Sequence, residues 1–292
     1  VSQEARELLE SPKPPLIVDV DNTSKLPKKF RMTTDVVPQD TNPLPDLKGL
    51  AELRISGSGQ FSHGGLRSMM QSIGDEPITI VDLRQECHGF VNGMAVSWYG
   101  QHNNANKGLS DSEVKHMEQT YFQELEEAES ISFDQLARKS VDIGGPVTSP
   151  KLIQNEEQLV RSEGLEYKRF FVSDHHRPLN QVVDAYIEWV LGLPANSWLH
   201  FHCRGGVGRT SSFMTMFDMM RHAGEVSFED IMRRHILIGG KDFDLMDPDE
   251  PYKYALALER IEFIRTFYEY CLDQRASKFT KSWSRWLENR SS

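Results

Sequence analysis

Apolar residues in this chain come in short blocks of two different periods, set between polar stretches rich in glycine and proline. Trp198-Leu-His-Phe-His202 and Ile78-Thr-Ile-Val-Asp-Leu83 are compact runs of the kind that form buried strands. Over 210–221, Phe213, Met216, Phe217 and Met220 recur at helical spacing and predict a helix, joined to the Trp198–His202 strand by a tight loop over 204–208. Helices are also predicted over 179–191, 228–238 and 252–271, and Trp283 and Trp286 are expected to anchor the C-terminus. Residues 1–15 read as a loose or helical arm ending at Pro12, Pro14 and Pro15, followed by a strand at Leu16–Val20. The stretch 35–49 reads as irregular surface chain. Over 126–162 the texture changes to short alternating patches, Ile131-Ser-Phe133 and Val141-Asp-Ile143, then Gly144-Gly-Pro-Val-Thr148, which predicts strands in an excursion from the main domain.

The chemistry concentrates in the turn after Trp198–His202, His202-Cys-Arg-Gly-Gly-Val-Gly-Arg-Thr210. Backbone amides of a glycine-rich loop, here Arg204, Gly205, Gly206, Val207 and Gly208, converge on one anion, and the helix start adds partial positive charge. The same field favours a thiolate at Cys203. Arg209 offers a planar, two-pronged guanidinium to phosphoryl oxygens, and the Thr210 hydroxyl stands next in line for the sulfur. A Walker-type nucleotide loop is excluded because its Gly-Lys-Ser/Thr ending is missing. Upstream, Phe170-Phe-Val-Ser-Asp-His-His-Arg-Pro178 presents Asp174 on a loop, as a proton donor to the leaving group or as a turn former. His175, His176 and Arg177 beside it are candidate substrate contacts.

The string His-Cys-x-x-Gly-x-Gly-Arg-Thr resembles the signature loop of the protein tyrosine phosphatase superfamily. With Asp174-His-His-Arg-Pro178, and with Asp82-Leu-Arg-Gln-Glu86 followed by His88-Gly and Ser97-Trp-Tyr-Gly100, it resembles more closely the bacterial tyrosine-phosphatase-like phytases, over about residues 30–286. The resemblance implies an α/β fold with a mostly parallel sheet flanked by helices and a small β-barrel beside it. Residues 31–125 and 163–292 would form the catalytic domain, 126–162 the barrel excursion, and 1–30 the arm with its barrel strand. It implies that Cys203 is the nucleophile, Arg209 the phosphate clamp and Asp174 the general acid, with His202 holding the loop. Arg31, in Lys28-Lys-Phe-Arg31, would reach the substrate, as would Lys241 and Lys253. Asp82 and Arg84 read as an ion pair at a strand end, and Glu86 and His88 as supports of the loop. Arg204 stands where the better-known members carry an acid, and is expected to face a polyanion.

The activity implied is metal-independent hydrolysis of myo-inositol hexakisphosphate and lower inositol polyphosphates through a phosphocysteine, with no cofactor. The alternatives are a phosphotyrosine protein or phosphoinositide phosphatase, and an inactive phosphate-binding module. A formal charge of −10 over 292 residues argues against nucleic acid as a partner, but screening over ~8 Å lets a local cluster of arginines outweigh distant carboxylates. No apolar run reaches membrane-span length. Cys87, Cys203 and Cys271 have neither a paired framework nor metal-ligand spacing. A monomer or weak dimer is expected, secreted or periplasmic after leader removal, with the cytoplasm as alternative.

Overall fold

The structure, a computed structural model, describes Gln3, Glu7 and residues 11–292; the rest of the expected N-terminal arm lies outside the described residues. The strands in chain order are β1 (Leu16–Val20), β2 (Arg31–Met32), β3 (Ile55–Ser58), β4 (Ile78–Arg84), β5 (His88–Val91), β6 (Met94–Trp98), β7 (Ile153–Gln154), β8 (Glu166–Val172) and β9 (Trp198–His202). The helices are α1 (His63–Ile73), α2 (Asp111–Glu127), α3 (Glu156–Ser162), α4 (Asn180–Leu191), α5 (Gly208–His222), α6 (Phe228–Leu237), α7 (Pro251–Gln274) and α8 (Trp283–Arg290).

The larger sheet has the order β2-β3-β9-β4-β8. β3, β9, β4 and β8 run parallel and β2 antiparallel. Central strands covered on both faces need near-continuous apolar runs, and every residue of β9 is buried. On one face lies α5, whose residues from Arg209 to Met220 are all buried. With α4, α7 and α8 it encloses a core that includes Phe201, Phe213, Phe217, Ile264, Phe267 and Trp283. On the other face α1 and α3 bring Leu66, Met69, Leu159 and Val160 against Ile78 and Ile80. Ser58 and Asp82 both pair with His202, so β3, β9 and β4 end level and feed three loops to one end of the sheet. Ligands of open α/β sheets sit at this carboxyl edge.

The second sheet corrects the expected domain limits. Its order is β1-β6-β5-β7, and its central hairpin, β5–β6, comes from 88–98 rather than from 126–162. The hairpin turn is Asn92-Gly93, with left-handed φ of 50° and 79°. The excursion supplies β7 and an isolated bridge between Ile131 and Val147. Its alternating patches are irregular chain, in which Asp134 N and Val141 N donate to Leu16 O and Val18 O on the outer side of β1. Phe133, Val141, Ile143 and Val147 pack over Val18, Val91 and Val96, so apolar side chains cover that edge without a regular ladder. The excursion ends in α3, which belongs to the main core.

Candidate active site

The loop 203–208 leaves β9 and turns into α5 at the level edge of the sheet. The Cys203 sulfur accepts hydrogen bonds from Thr210 Oγ1 at 3.1 Å and from the amide of Gly206 at 3.3 Å. Burial pushes the thiol pKa up, but the Arg209 charge and the Thr210 hydroxyl override it, and the thiol is held below its ordinary value. The carbonyls of Arg204 and Gly206 are tied from outside, by Gln60 N at 3.0 Å and Arg31 Nη1 at 2.8 Å. Close approach demands glycine at 206, against backbone, and at 208 a side chain would displace a guanidinium. A Cβ on Gly206, whose φ is +74°, would lie 2.2 Å from Gly59 N, and one on Gly208 would lie 2.3 Å from Arg260 Nη1.

Arg209 is clamped. Its Nη1 and Nη2 donate to Glu86 Oε2 and Oε1 at 2.7 and 2.9 Å, and Nη1 also reaches Val172 O at 3.0 Å. Its Nε is buried without a partner. A planar guanidinium with one edge spent on a carboxylate presents the remainder as a preset donor. Glu86 is itself shared: Oε1 accepts from Arg84 Nε at 2.8 Å and from Asn103 Nδ2 at 2.9 Å. Although burial raises the Glu86 pKa, Arg209 and Arg84 hold it well below the usual range.

Asp174 stands on the loop after β8, with Oδ1 3.3 Å from Arg209 Nη2 and Oδ2 accepting from Asn103 Nδ2 at 3.0 Å. Its burial favours the neutral acid, yet the Arg209 charge keeps the pKa lowered. His175, at a left-handed φ of 68°, lies 3.8 Å from Asp174. The His176 ring bonds the Asp174 carbonyl through Nδ1 at 2.7 Å.

Behind the loop is a buried polar network. Both nitrogens of His202 face acceptors, Glu156 Oε2 at 2.5 Å and Cys203 O at 3.3 Å. Burial lowers the His202 pKa, but Glu156 and Asp82 outweigh it and lift it to about 9. With an acceptor at each nitrogen, the charged form of His202 is favoured beside the Cys203 loop. Asp82 lies 2.6 Å from His88 Nε2 and accepts from the Tyr167 hydroxyl at 2.6 Å. Asp82, His88 and Glu156 offer atoms within 4.8 Å of one another, the spacing a metal ion asks for, but those atoms are spent on each other and on His202.

Several expected contacts lie elsewhere. Arg31 is buried under the loop, donating to Gly206 O and, at 3.0 Å, to Ser211 Oγ, which makes it a brace. Arg204 turns to the second sheet, donating to Asp19 Oδ1 at 3.0 Å and to Lys139 O, with its guanidinium 4.9 Å from the Tyr99 ring centre. Arg177 donates to Pro178 O and Asn180 and stacks on Phe263. Lys253 is half exposed and paired with Glu250 at 2.9 Å. Lys241 is half-buried, and burial, with Arg260 adding to it, lowers its pKa. Asp82 and Arg84 are not an ion pair: Arg84 donates its backbone amide to Asp82 and its side chain to Glu86, Asp19 and Gln60.

Sequence reasoning missed Arg260. It is buried against Gly208 and Phe243, no carboxylate pairs with it among the described residues, and its Nε has no partner. Burial lowers its pKa to about 10, while Asp174 and Cys203 raise it, so its charge is felt at both of those side chains. A signal existed: in the 252–271 helix, Arg260 falls on the same stripe as Phe263, Ile264, Phe267 and Cys271, where a charge is out of place.

A family model for PTP-like phytases, with inositol hexakisphosphate as its description, matches residues 81–221. The chain is 34% identical to a PTP-like myo-inositol phosphatase from Mitsuokella multacida, solved with myo-inositol-(1,3,4,5)-tetrakisphosphate, at a TM-score of 0.86 over 95% of this chain and 50% of that one. It is 31% identical to a PTP-like phytase from Bdellovibrio bacteriovorus, at a TM-score of 0.71 over 94% of this chain and 96% of that one. Among curated proteins it is 27% identical over 270 residues to effector protein hopD2 of Pseudomonas syringae pv. tomato, which covers 89% of this chain and 57% of that protein. The chain thus spans about half the length of the Mitsuokella and Pseudomonas proteins. The chain belongs to the protein-tyrosine-phosphatase-like phytase family.

Proposed function

We propose that this chain hydrolyses phosphomonoesters of myo-inositol polyphosphates through a phosphocysteine intermediate. The observation that carries the reading is the Cys203 sulfur under two hydrogen bonds, facing a guanidinium that Glu86 locks with its Nε unpaired. The Cys203 thiolate attacks phosphorus in line, the P–O bond to the inositol carbon-bound oxygen breaks, and Asp174 gives its proton to that alkoxide. Water then attacks the phosphocysteine, Asp174 takes the water proton, and the Thr210 hydroxyl stabilises the departing thiolate. The phosphoryl charge itself prepares the acid. In the resting site Arg209 keeps Asp174 ionised, but a dianion in the loop cancels that charge, and burial then favours the protonated form.

A polyanionic substrate is supported by Arg260 and Lys241, neighbouring cationic groups that make no salt bridge among the described residues, although Asp174 and Asp242 respectively raise their pKa values. The Mitsuokella relative's complex with an inositol tetrakisphosphate points the same way. A second reading, hydrolysis of phosphotyrosine peptides, draws on the His102 and Tyr252 rings, stacked at 3.8 Å next to Asn103, which would suit a flat aryl ester.

Two variants test these assignments. Asp174→Asn should cut kcat/KM on inositol hexakisphosphate by about 10²–10⁴-fold, and far less on an aryl phosphate whose leaving group needs no proton. Equal losses on both would remove the acid role. Arg260→Ala should raise KM for the hexakisphosphate by about tenfold or more, the worth of a charge-assisted hydrogen bond, with a much smaller effect on an aryl monophosphate. Equal effects on the two would reduce Arg260 to packing against Gly208.

A further inference from the structure

We propose that Asn103 is a positioning residue for proton transfer, its side-chain amide clamping Asp174 to Glu86. The inference rests on the cysteine phosphatase reading above.

Asn103 is fully buried in a short 3-10 turn, Gln101–Asn103. His102 and Asn103 have consecutive left-handed φ values of 53° and 54°. Such a conformation is unfavourable for residues other than glycine, although asparagine tolerates it best, and it persists where the surroundings over-determine it. They do so here. Asn103 N donates to Gly100 O at 2.9 Å, the His102 ring stacks on Tyr252, Asn104 donates to the Tyr252 hydroxyl, and Asn106 Nδ2 holds Gln85 O at 3.1 Å.

The orientation of the amide is dictated by its neighbours. Its Nδ2 bridges Glu86 Oε1 and Asp174 Oδ2, at 2.9 and 3.0 Å. Both are acceptors when ionised, so a flipped amide would set its oxygen against two carboxylates. Glu86 is kept ionised by Arg209 and Arg84 and therefore fixes the amide as a donor toward Asp174. Its Oδ1 is buried with no partner, so the turn accepts an unsatisfied group in order to keep this bridge.

A fixed donor stabilises the carboxylate over the acid. The charged and titratable groups around Asp174 are Arg209 from α5, Glu86 from the loop after β4, Cys203 from the loop after β9, His175 and His176 on its own loop, and Tyr252 and Arg260 from α7. Arg209 and Glu86 are bound to each other and act on Asp174 in opposite senses, Arg209 the more strongly. Asn103 is the one uncharged side-chain donor on this carboxylate among the described residues. Removing it makes the acid easier to protonate, so the descending limb of kcat/KM, where Asp174 loses its proton, moves to higher pH.

The test is the pH profile of kcat/KM for the wild type, Asn103→Ala, Asn103→Asp and Asp174→Asn. Each is measured on inositol hexakisphosphate and on an aryl phosphate with a good leaving group. Both Asn103 variants should carry the limb upward on the hexakisphosphate, the ratio of variant to wild type rising about tenfold across it, as expected for a hydrogen bond to a charged group. The ratio on the aryl ester should stay flat. An unmoved limb in both variants, or a loss that is uniform in pH and equal on both esters, overturns the assignment. Asp174→Asn separates the two levels: if it keeps the limb, the acid role of Asp174 fails, and if it abolishes the limb while the Asn103 variants leave it in place, only the role of Asn103 fails.

Discussion

Cys203→Ser should reduce phosphate release by about 10⁴-fold or more while leaving the substrate bound. The expectation follows from what the site spends on the sulfur. Thr210 Oγ1 and the Gly206 amide both donate to it, and the Arg209 charge favours the thiolate strongly enough to overcome complete burial. A serine hydroxyl keeps nearly the same shape but stays protonated at any working pH, so none of these donors finds an anion to stabilise. Binding survives because phosphate is met by loop amides and guanidinium groups rather than by the sulfur. Phosphate burst, steady-state turnover and equilibrium binding of the hexakisphosphate, measured on one preparation, separate the two. Turnover near the wild-type rate would remove the covalent mechanism.

Arg209→Lys is expected to have the next largest effect, a loss of about 10³-fold in kcat with a smaller change in KM. Removing one preorganised donor to a developing oxyanion costs about 10²–10³-fold, and lysine here loses more than one. Its single ammonium cannot engage both Glu86 oxygens and Val172 O and still present a partnerless donor. Glu86 would then be a buried carboxylate left with Arg84 and Asn103. The same substitution releases Asp174 from its nearest cation at 3.3 Å, so the proton equilibrium of the acid should move upward in the free enzyme. Comparing kcat and KM across pH checks both parts. A mainly KM effect would mean that Arg209 binds ground state and transition state alike.

The centre of this site was legible because its chemistry is local. A cysteine, glycines and an arginine within eight residues, between an apolar strand and a helix with apolar spacing, leave little freedom in how they fold. The strands Leu16–Val20 and Trp198–His202 have the expected bounds, and the expected helices differ from those found by a few residues at their ends. Arg204 shows where such reading stops. In sequence it is a bare charge in a phosphate loop, and its partner Asp19 lies 185 positions away on β1. Arg31 misled for the same reason, since a basic run does not disclose that one guanidinium folds inward onto Gly206 and Ser211. Two signals were present and unused. Asn92-Gly93 between apolar residues is a strong hairpin mark and would have moved 88–98 into the second sheet. Ser110 with Glu113 is a capping box that announces α2. Asn103 and Glu156 carried no such mark, because an asparagine in a polar turn and an acid in the first turn of a helix both have ordinary surface explanations.

Phosphate release in the presence of chelator, from inositol hexakisphosphate and from a phosphotyrosine peptide side by side, with Cys203→Ser as the control, decides whether the chain is a metal-independent inositol polyphosphate phosphatase working through Cys203. The expected result is chelator-resistant release that is faster from the inositol ester and absent from the variant. Faster release from the peptide, release that the chelator stops, or silence on both substrates would contradict it.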